Sequence, residues 1–275
     1  MSEMASALGP REHIATVTTD GQDVRLFHID YPQRGQFREK GVILLIHGFP
    51  ETSHQYRHVL EPLSNVGYRL IVPDVRGHGA SSHPQLGYTK AVLAEDLYHL
   101  LQDPSWHRKS HLSHSFATQY ASYVKSLIRG ECPLPDTTEF EGTKASRKQF
   151  HFTFQAQVDL ALQLVTGNEK VYLNHFYDKL SYKSCWNTTE LYDAFELDAA
   201  ENRKRLNEYG KCAVPTLGMN IEFSSHAGDM KRMLPEMYET FGCEIVPDSG
   251  HYIGEENSDA LVAFAIAFLQ EHPLV

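Results

Sequence analysis

The chain has 275 residues, 41% of them apolar and 22% charged, which is ordinary globular usage and enough length for one large domain with a small insertion. Its net charge of −10 disfavours a nucleic-acid partner, because no basic stripe exists to neutralise phosphates. No apolar run approaches the roughly 18 residues that span a bilayer. Met1 to Pro10 lacks the basic and apolar regions of a secretory signal, so a cytoplasmic chain with no membrane partner is expected.

Two short strands are predicted first, His13–Thr19 and Val24–Ile29, joined by the Asp20-Gly21 hairpin signal. Gly41–Ile46 (GVILLI) is a continuous apolar run that stops at His47-Gly48-Phe49-Pro50, and it reads as a buried parallel strand. His54–Val66 has helical spacing and ends at Gly67. Tyr68–Pro73 is a second buried strand, Asp74–Pro84 a Gly- and Ser-rich loop, and Lys90–Leu101 an amphipathic helix. Strands alternating with helices imply a doubly wound, mostly parallel sheet, with ligands bound beyond the carboxyl ends of its strands. Beyond Pro104 the alternation fails: Gln102–His111 has no β-branched residue and cannot supply a buried strand. Ser113–Tyr123 reads as a helix and Lys125–Arg129 as a short strand. Arg147–Leu180 and Leu191–Tyr209 read as a helical insertion. Ala213–Met219 and Cys243–Val246 are two more strands flanking a helix over Met230–Phe241, and Ala260–Leu269 is a terminal helix.

Cys132, Cys185, Cys212 and Cys243 are widely spaced without a C-x-x-C pattern, so reduced thiols are expected. Sixteen histidines are scattered with no H-E-x-x-H pattern, so most read as surface or capping residues, and neither metal nor cofactor is expected. The informative set is His47-Gly48-Phe49-Pro50, Asp74-Val75-Arg76-Gly77-His78-Gly79 and Ser249-Gly250-His251, each after a predicted strand. His47-Gly48 permits a tight turn that aims the Phe49 N–H into the site as half of an oxyanion hole. His251, late in the chain after the final strand, reads as a general base.

HGFPETSHQYRHVLEPLSNVGYRLIVPDVRGHGASSHP resembles the N-terminal half of epoxide hydrolases of the α/β-hydrolase superfamily. GECPLPDT and HFTFQAQVDLALQLVTGNEKVYLNHFYDKL are similar to the cap and its entry in fungal-type members. The resemblance runs from about Glu12 to Glu271. It implies an α/β-hydrolase fold divided into core residues 12–135, a helical cap over 136–210 and further core residues 211–272. It also implies hydrolysis of a small apolar epoxide to a diol. There an Asp nucleophile forms an ester that a His-activated water cleaves, while a carboxylate orients the His. That carboxylate falls at Glu131, with Glu222 as runner-up. Tyr172, Tyr177 and Tyr182 are the candidates to bond the epoxide oxygen, and His151 and Phe152 to line the pocket.

The sequence departs from that family at two places: a cap stretch that in the family carries a ring-opening Tyr is shortened after Leu180, and the nucleophile elbow is lost. The family has an apolar strand and Gly-His-Asp-x-Gly-Gly before the helix at Ser113, whereas here His107 falls on the nucleophile position and Arg108 on the next. Neither elbow glycine is present. The strand expected there lies in the middle of the sheet, so its loss leaves ladder groups on both sides unpaired, at about 1–3 kcal/mol each if buried. An impaired enzyme, a non-catalytic ligand-binding protein and a mis-spliced or truncated gene product all accommodate this loss. Arg108 also suits a haloacid dehalogenase-like reading, and Ser115 and Cys132 are the replacement nucleophiles.

Overall fold

The computed structural model describes residues 9–34, 38–102, 114–130, 132, 134–146, 154, 157, 167, 192, 194–224 and 226–273. The hairpin forms as the sequence predicts. β1 (Arg11–Thr19) pairs antiparallel with β2 (Gln22–Tyr31), and Thr19 faces Gln22 across the turn. Asp20 and Gly21 take φ of 49° and 69°, the left-handed pair a two-residue hairpin demands.

β3 (Gly41–Leu44) runs parallel to β4 (Tyr68–Pro73), and β4 pairs antiparallel with β2. β5 (Leu127–Arg129), β6 (Thr216–Ile221) and β7 (Phe241–Val246) are parallel to one another. The order is β1-β2-β4-β3 in one sheet and β5-β6-β7 in the other. Among the described residues no ladder joins β3 to β5. This is the boundary at which the sequence lacks a strand, and residues 103–113, expected to carry it, lie outside the described residues.

Helices cover both faces. On one, Ala94, Leu97 and Leu100 of α2 (Lys90–Leu100) and Phe116 and Ala117 of α3 (His114–Gln119) share a core with Val42, Leu44 and Leu127. Met230, Met233 and Leu234 of the helix Asp229–Met237 complete it. Gly218 of β6 lets that helix approach, since a Cβ there would lie 2.6 Å from Leu234 Cδ1 and 3.1 Å from Met230 Cβ. On the other face, α1 (Leu60–Asn65) and the C-terminal helix Ser258–Glu271 pack on Ile43, Leu70 and Val72. Alternation along each strand puts Ile43 on one face and Val42 and Leu44 on the other.

Several boundaries differ from the sequence reading. The helix expected over His54–Val66 is a 3-10 turn at Ser53–Tyr56 followed by α1. Pro62 is the cause: its ring clashes with the carbonyl four residues back, so the helix restarts with Pro62 in its first turn. The helix expected over Ser113–Tyr123 stops at Gln119 and continues as a 3-10 turn at Ala121–Tyr123. The helix expected over Met230–Phe241 ends at Met237, two residues past Pro235, and β7 begins earlier, at Phe241. The 15-residue helix Phe195–Tyr209 is closed by Gly210 at φ 77°, as its position after the last periodic residue suggests.

Candidate functional site

Two loops at the carboxyl ends of β3 and β4 are bonded into one unit. The His47 ring donates from Nδ1 to Gly48 O (2.9 Å) and accepts the Val75 N–H at Nε2 (3.0 Å). Burial keeps this imidazole below its ordinary pKa, against the attraction of Asp74, so it works as a neutral clip. Asp74 accepts the Ser53 N–H (2.7 Å) on one oxygen and the Ala80 N–H (2.9 Å) on the other. Gly79 sits at φ 50° against this carboxylate, leaving no room for a Cβ. Arg76 is fully buried and grips Asp96 through two bonds of 2.8 and 2.7 Å, with Thr19 Oγ1 at 2.5 Å from Nη2. The loop is thereby fixed to α2 and β1.

This scaffold presents Phe49, joined to Pro50 by a cis peptide. The turn closes through Glu51 N–H to Gly48 O (2.9 Å). Gly48 has neither a positive φ nor a neighbour that a Cβ would meet, so the turn does not draw on the glycine freedom the sequence suggested. Among the described residues the Phe49 N–H has no acceptor, as an oxyanion donor requires. Its ring stands edge-on to Tyr192 at 5.4 Å and to His78 at 6.5 Å. Tyr192 packs on Phe195 (5.4 Å), which meets Phe140 (5.8 Å) and lies under Lys90 Nζ.

His78 is buried, donates from Nδ1 to Arg76 O (3.1 Å), and has no partner at Nε2 among the described residues. Burial, then the neighbouring His47, holds its pKa well below the ordinary value. His28, His47, His78 and His114 are all buried, so the structural histidines include several in the core.

His251 sits on an exposed loop after β7, its ring 5.3 Å from Tyr252. Glu256 braces that loop by accepting the Gly250 N–H (2.7 Å) and the Tyr252 N–H (2.9 Å). Arg57 and Glu255 form a two-bond ion pair that ties the same loop to the segment after Phe49. Gly254 packs so closely there that a Cβ would lie 3.0 Å from Gln55 O. The structure therefore holds the loops of Phe49 and His251 together. Glu222 is exposed and accepts the Asp248 N–H (3.0 Å), which braces the turn before His251. Ser115 lies in α3 rather than in a strand-to-helix turn, and Cys132 is exposed. Glu131, His107, Arg108, His151, Phe152, Tyr172, Tyr177 and Tyr182 lie outside the described residues.

Two residues of the site escaped the sequence reading. Tyr192 stands against Phe49; its only signal was an aromatic just before Phe195. Glu51 is 3% exposed, and its Oε1 has no hydrogen-bond partner among the described residues. Burial, then the Glu255 carboxylate, pushes its pKa up to about 7 against the attraction of Arg57 and His251. A carboxyl placed directly after an apolar turn was the signal for it. Among the described residues no group of three His, Cys, Asp or Glu side chains is arranged to hold a metal ion, and no helix is long and apolar enough to cross a membrane.

The family model for the alpha/beta hydrolase fold matches residues 41–128. Epoxide hydrolase A of Mycobacterium tuberculosis is 30% identical over 123 residues, covering 41% of this chain and 38% of that protein. The chain thus matches about two fifths of that relative's length. The soluble epoxide hydrolase of Corynebacterium sp. is 22% identical over 262 residues, covering 82% of this chain and 89% of that protein. Among solved structures, Cfl2 from Burkholderia cenocepacia superposes with a TM-score of 0.79 at 25% identity, over 97% of both chains.

Proposed function

We propose, from the premise that this chain is an epoxide hydrolase-like member of the α/β-hydrolase superfamily, that it adds water to the epoxide of a small apolar molecule, and does so slowly. One observation carries the proposal. The Phe49 N–H, without an acceptor among the described residues, sits on a turn whose next segment is clamped to the His251 loop by Arg57 and Glu255. A donor for a developing alkoxide and a base for water are thus tethered to one another.

In this reading His251 takes a proton from water, and the resulting hydroxide attacks a ring carbon. The C–O bond breaks, and the alkoxide collects a proton to give the diol. Glu131 orients His251. Tyr172, Tyr177 or Tyr182 bonds the epoxide oxygen, and His151 and Phe152 line the pocket beneath the cap at 136–210. With His107 on the nucleophile position and Arg108 beside it, no Asp ester forms there. Triad hydrolases stripped of a triad member retain roughly 10³–10⁴-fold catalysis over water from the oxyanion hole and binding alone, and that is the scale expected here.

The test is diol formation from a styrene-oxide-type substrate by purified protein with native near-UV circular dichroism. Turnover lost in His251→Gln, with no covalent adduct on that variant by intact mass, is the expected result. A rate equal to the uncatalysed one in folded protein overturns the proposal. The second reading, a ligand-binding protein without turnover, is favoured by His107 where the family has Asp. Thermal stabilisation by epoxides or diols without product formation would select it.

A further inference from the structure

β7 is an edge strand: among the described residues it pairs with β6 and with no other strand. Successive residues of a strand point their N–H and C=O groups to opposite sides. The Thr216 N–H donates to Thr240 O (3.0 Å) and the Glu222 N–H to Val246 O (3.2 Å), so the even-numbered residues of this stretch face β6. Phe241, Cys243 and Ile245 therefore turn their N–H and C=O groups outward, and among the described residues no hydrogen bond reaches those groups. Their side chains share one face of the sheet. Cys243 packs on the core that Met230 and Met233 help to build, while Phe241 and Ile245, on either side of it, are 40% and 63% exposed. Glu244 is the one charge in the strand, and no lysine, proline or bulge guards the edge. Such an edge is a template for a further strand.

We propose that the further strand is β7 of a second copy of this chain, paired antiparallel about a two-fold axis at Cys243. A two-fold pairing has to set outward-facing residues opposite one another. With the axis at Cys243, that residue meets its own equivalent, and Phe241 of each copy meets Ile245 of the other. All three outward residues then sit in hydrogen-bonded pairs, with two bonds in each pair. Moving the axis to Gly242 or Glu244 leaves only two such pairs. An axis at Glu244 also sets two like charges opposite each other, which destabilises a ladder. With the axis at Cys243, Glu244 lies opposite Gly242 instead. The same register puts an aromatic ring beside a β-branched side chain on both sides of the axis, a favourable cross-strand pair. It thereby covers the two exposed apolar side chains. Bond count, charge and apolar contact thus select one register, because the strand is complementary to itself. β7 has 6 residues against the roughly 20–30 a side of a standard interface, so monomer and dimer exchange, and concentration sets the balance.

The experiment is sedimentation velocity of the full chain up to about 1 mM, joined to amide exchange by NMR in dilute and concentrated samples. The mass is expected to rise from one chain to two. The amides of Phe241, Cys243 and Ile245 should exchange about tenfold more slowly once most chains are paired, whereas Gly242 and Glu244, bonded to β6, are slow in both samples. Ile245→Pro deletes an N–H that no bond within the described chain uses, and an edge strand accepts proline at such a position. This variant should keep the wild-type near-UV spectrum and stay monomeric where wild type is dimeric. Should it lose that spectrum, Ile245→Lys decides in its place, because it puts an edge-guarding charge on a side chain that is already exposed. Three results overturn the proposal: a one-chain mass for wild type at every concentration, which leaves the edge to a different partner; a dimer whose three outward amides exchange as fast as in dilute protein; or a folded variant that dimerises like wild type. No readout uses turnover, so the outcome is independent of the proposed function.

Discussion

Replacing Asp96 with alanine strands a guanidinium in the core. The Arg76 side chain is 0% exposed and the Asp96 side chain 2%, so water cannot take over the lost contacts. Two charge-assisted bonds go, and Thr19 Oγ1 loses its bond to Asp96 while Nη2 still donates to it. Removing one partner of a buried pair costs about 3–5 kcal/mol, because the remaining charge is left uncompensated. Against a domain stability of about 5–15 kcal/mol, that is a large fraction. With a urea slope of about 3 kcal/mol/M, the unfolding midpoint should fall by about 1–1.7 M. The double variant Arg76→Met/Asp96→Leu removes both charges and should be less destabilised than Asp96→Ala. A midpoint for Asp96→Ala within about 0.3 M of wild type, or a double variant no better than the single one, would refute the claim that this pair anchors the loop of Asp74 and His78.

Three further outcomes follow from the same geometry. His114 is buried 2.5 Å from Tyr238 Oη, and burial, then Arg129, lowers its pKa from 6.5 to about 3. The unfolded chain takes a proton that the folded one refuses, so this contribution is whole above pH 6.5 and falls away as pH drops toward 3. Between pH 6.5 and 5 wild type should lose about 2 kcal/mol more than His114→Gln in urea titrations; parallel pH profiles would contradict this. The Glu51 carboxyl, raised from 4.5 to about 7, has the opposite sign: its stabilising effect is present below pH 4.5 and is lost as pH rises through 7. Glu51→Gln should therefore melt higher than wild type at pH 8 and gain nothing at pH 4. Gly79→Ala puts a Cβ against Asp74 at φ 50°, so a loss of at least about 1–2 kcal/mol is expected from the left-handed backbone alone, with further loss as the Ser53 and Ala80 bonds break.

What the sequence made legible was local. Asp20-Gly21 announced its hairpin, and GVILLI and YRLIVP announced parallel strands, because turn chemistry and continuous apolar runs act over a few residues. Pro62 shortened a helix whose periodicity ran straight through it, since apolar spacing does not register a missing N–H. The motif residues His47, Phe49, Asp74 and Arg76 were visible as a set, but not what they hold. The Arg57–Glu255 pair joins residues 198 apart, and no pattern in either segment points to the other. Glu51 and Tyr192 were missed for the same reason. A carboxyl becomes chemically distinctive only when the fold buries it, and a tyrosine beside Phe195 is ordinary helix packing until Phe49 is placed against it.

The two sheets have a consequence for how the molecule comes apart. Hydrogen-bond ladders transmit cooperativity along a sheet, and among the described residues none crosses from β3 to β5. Among the described residues, side chains couple the halves: Leu127 with Val42 and Leu44 on one face, and Ile128, which packs on the cores of both halves, on the other. Parts of a fold joined by side chains rather than by a ladder can open with unequal energies. Amide exchange should report them separately, with slow protons in β2 and β4 and faster ones in β5, and a truncation of Ile128 to alanine should widen the difference.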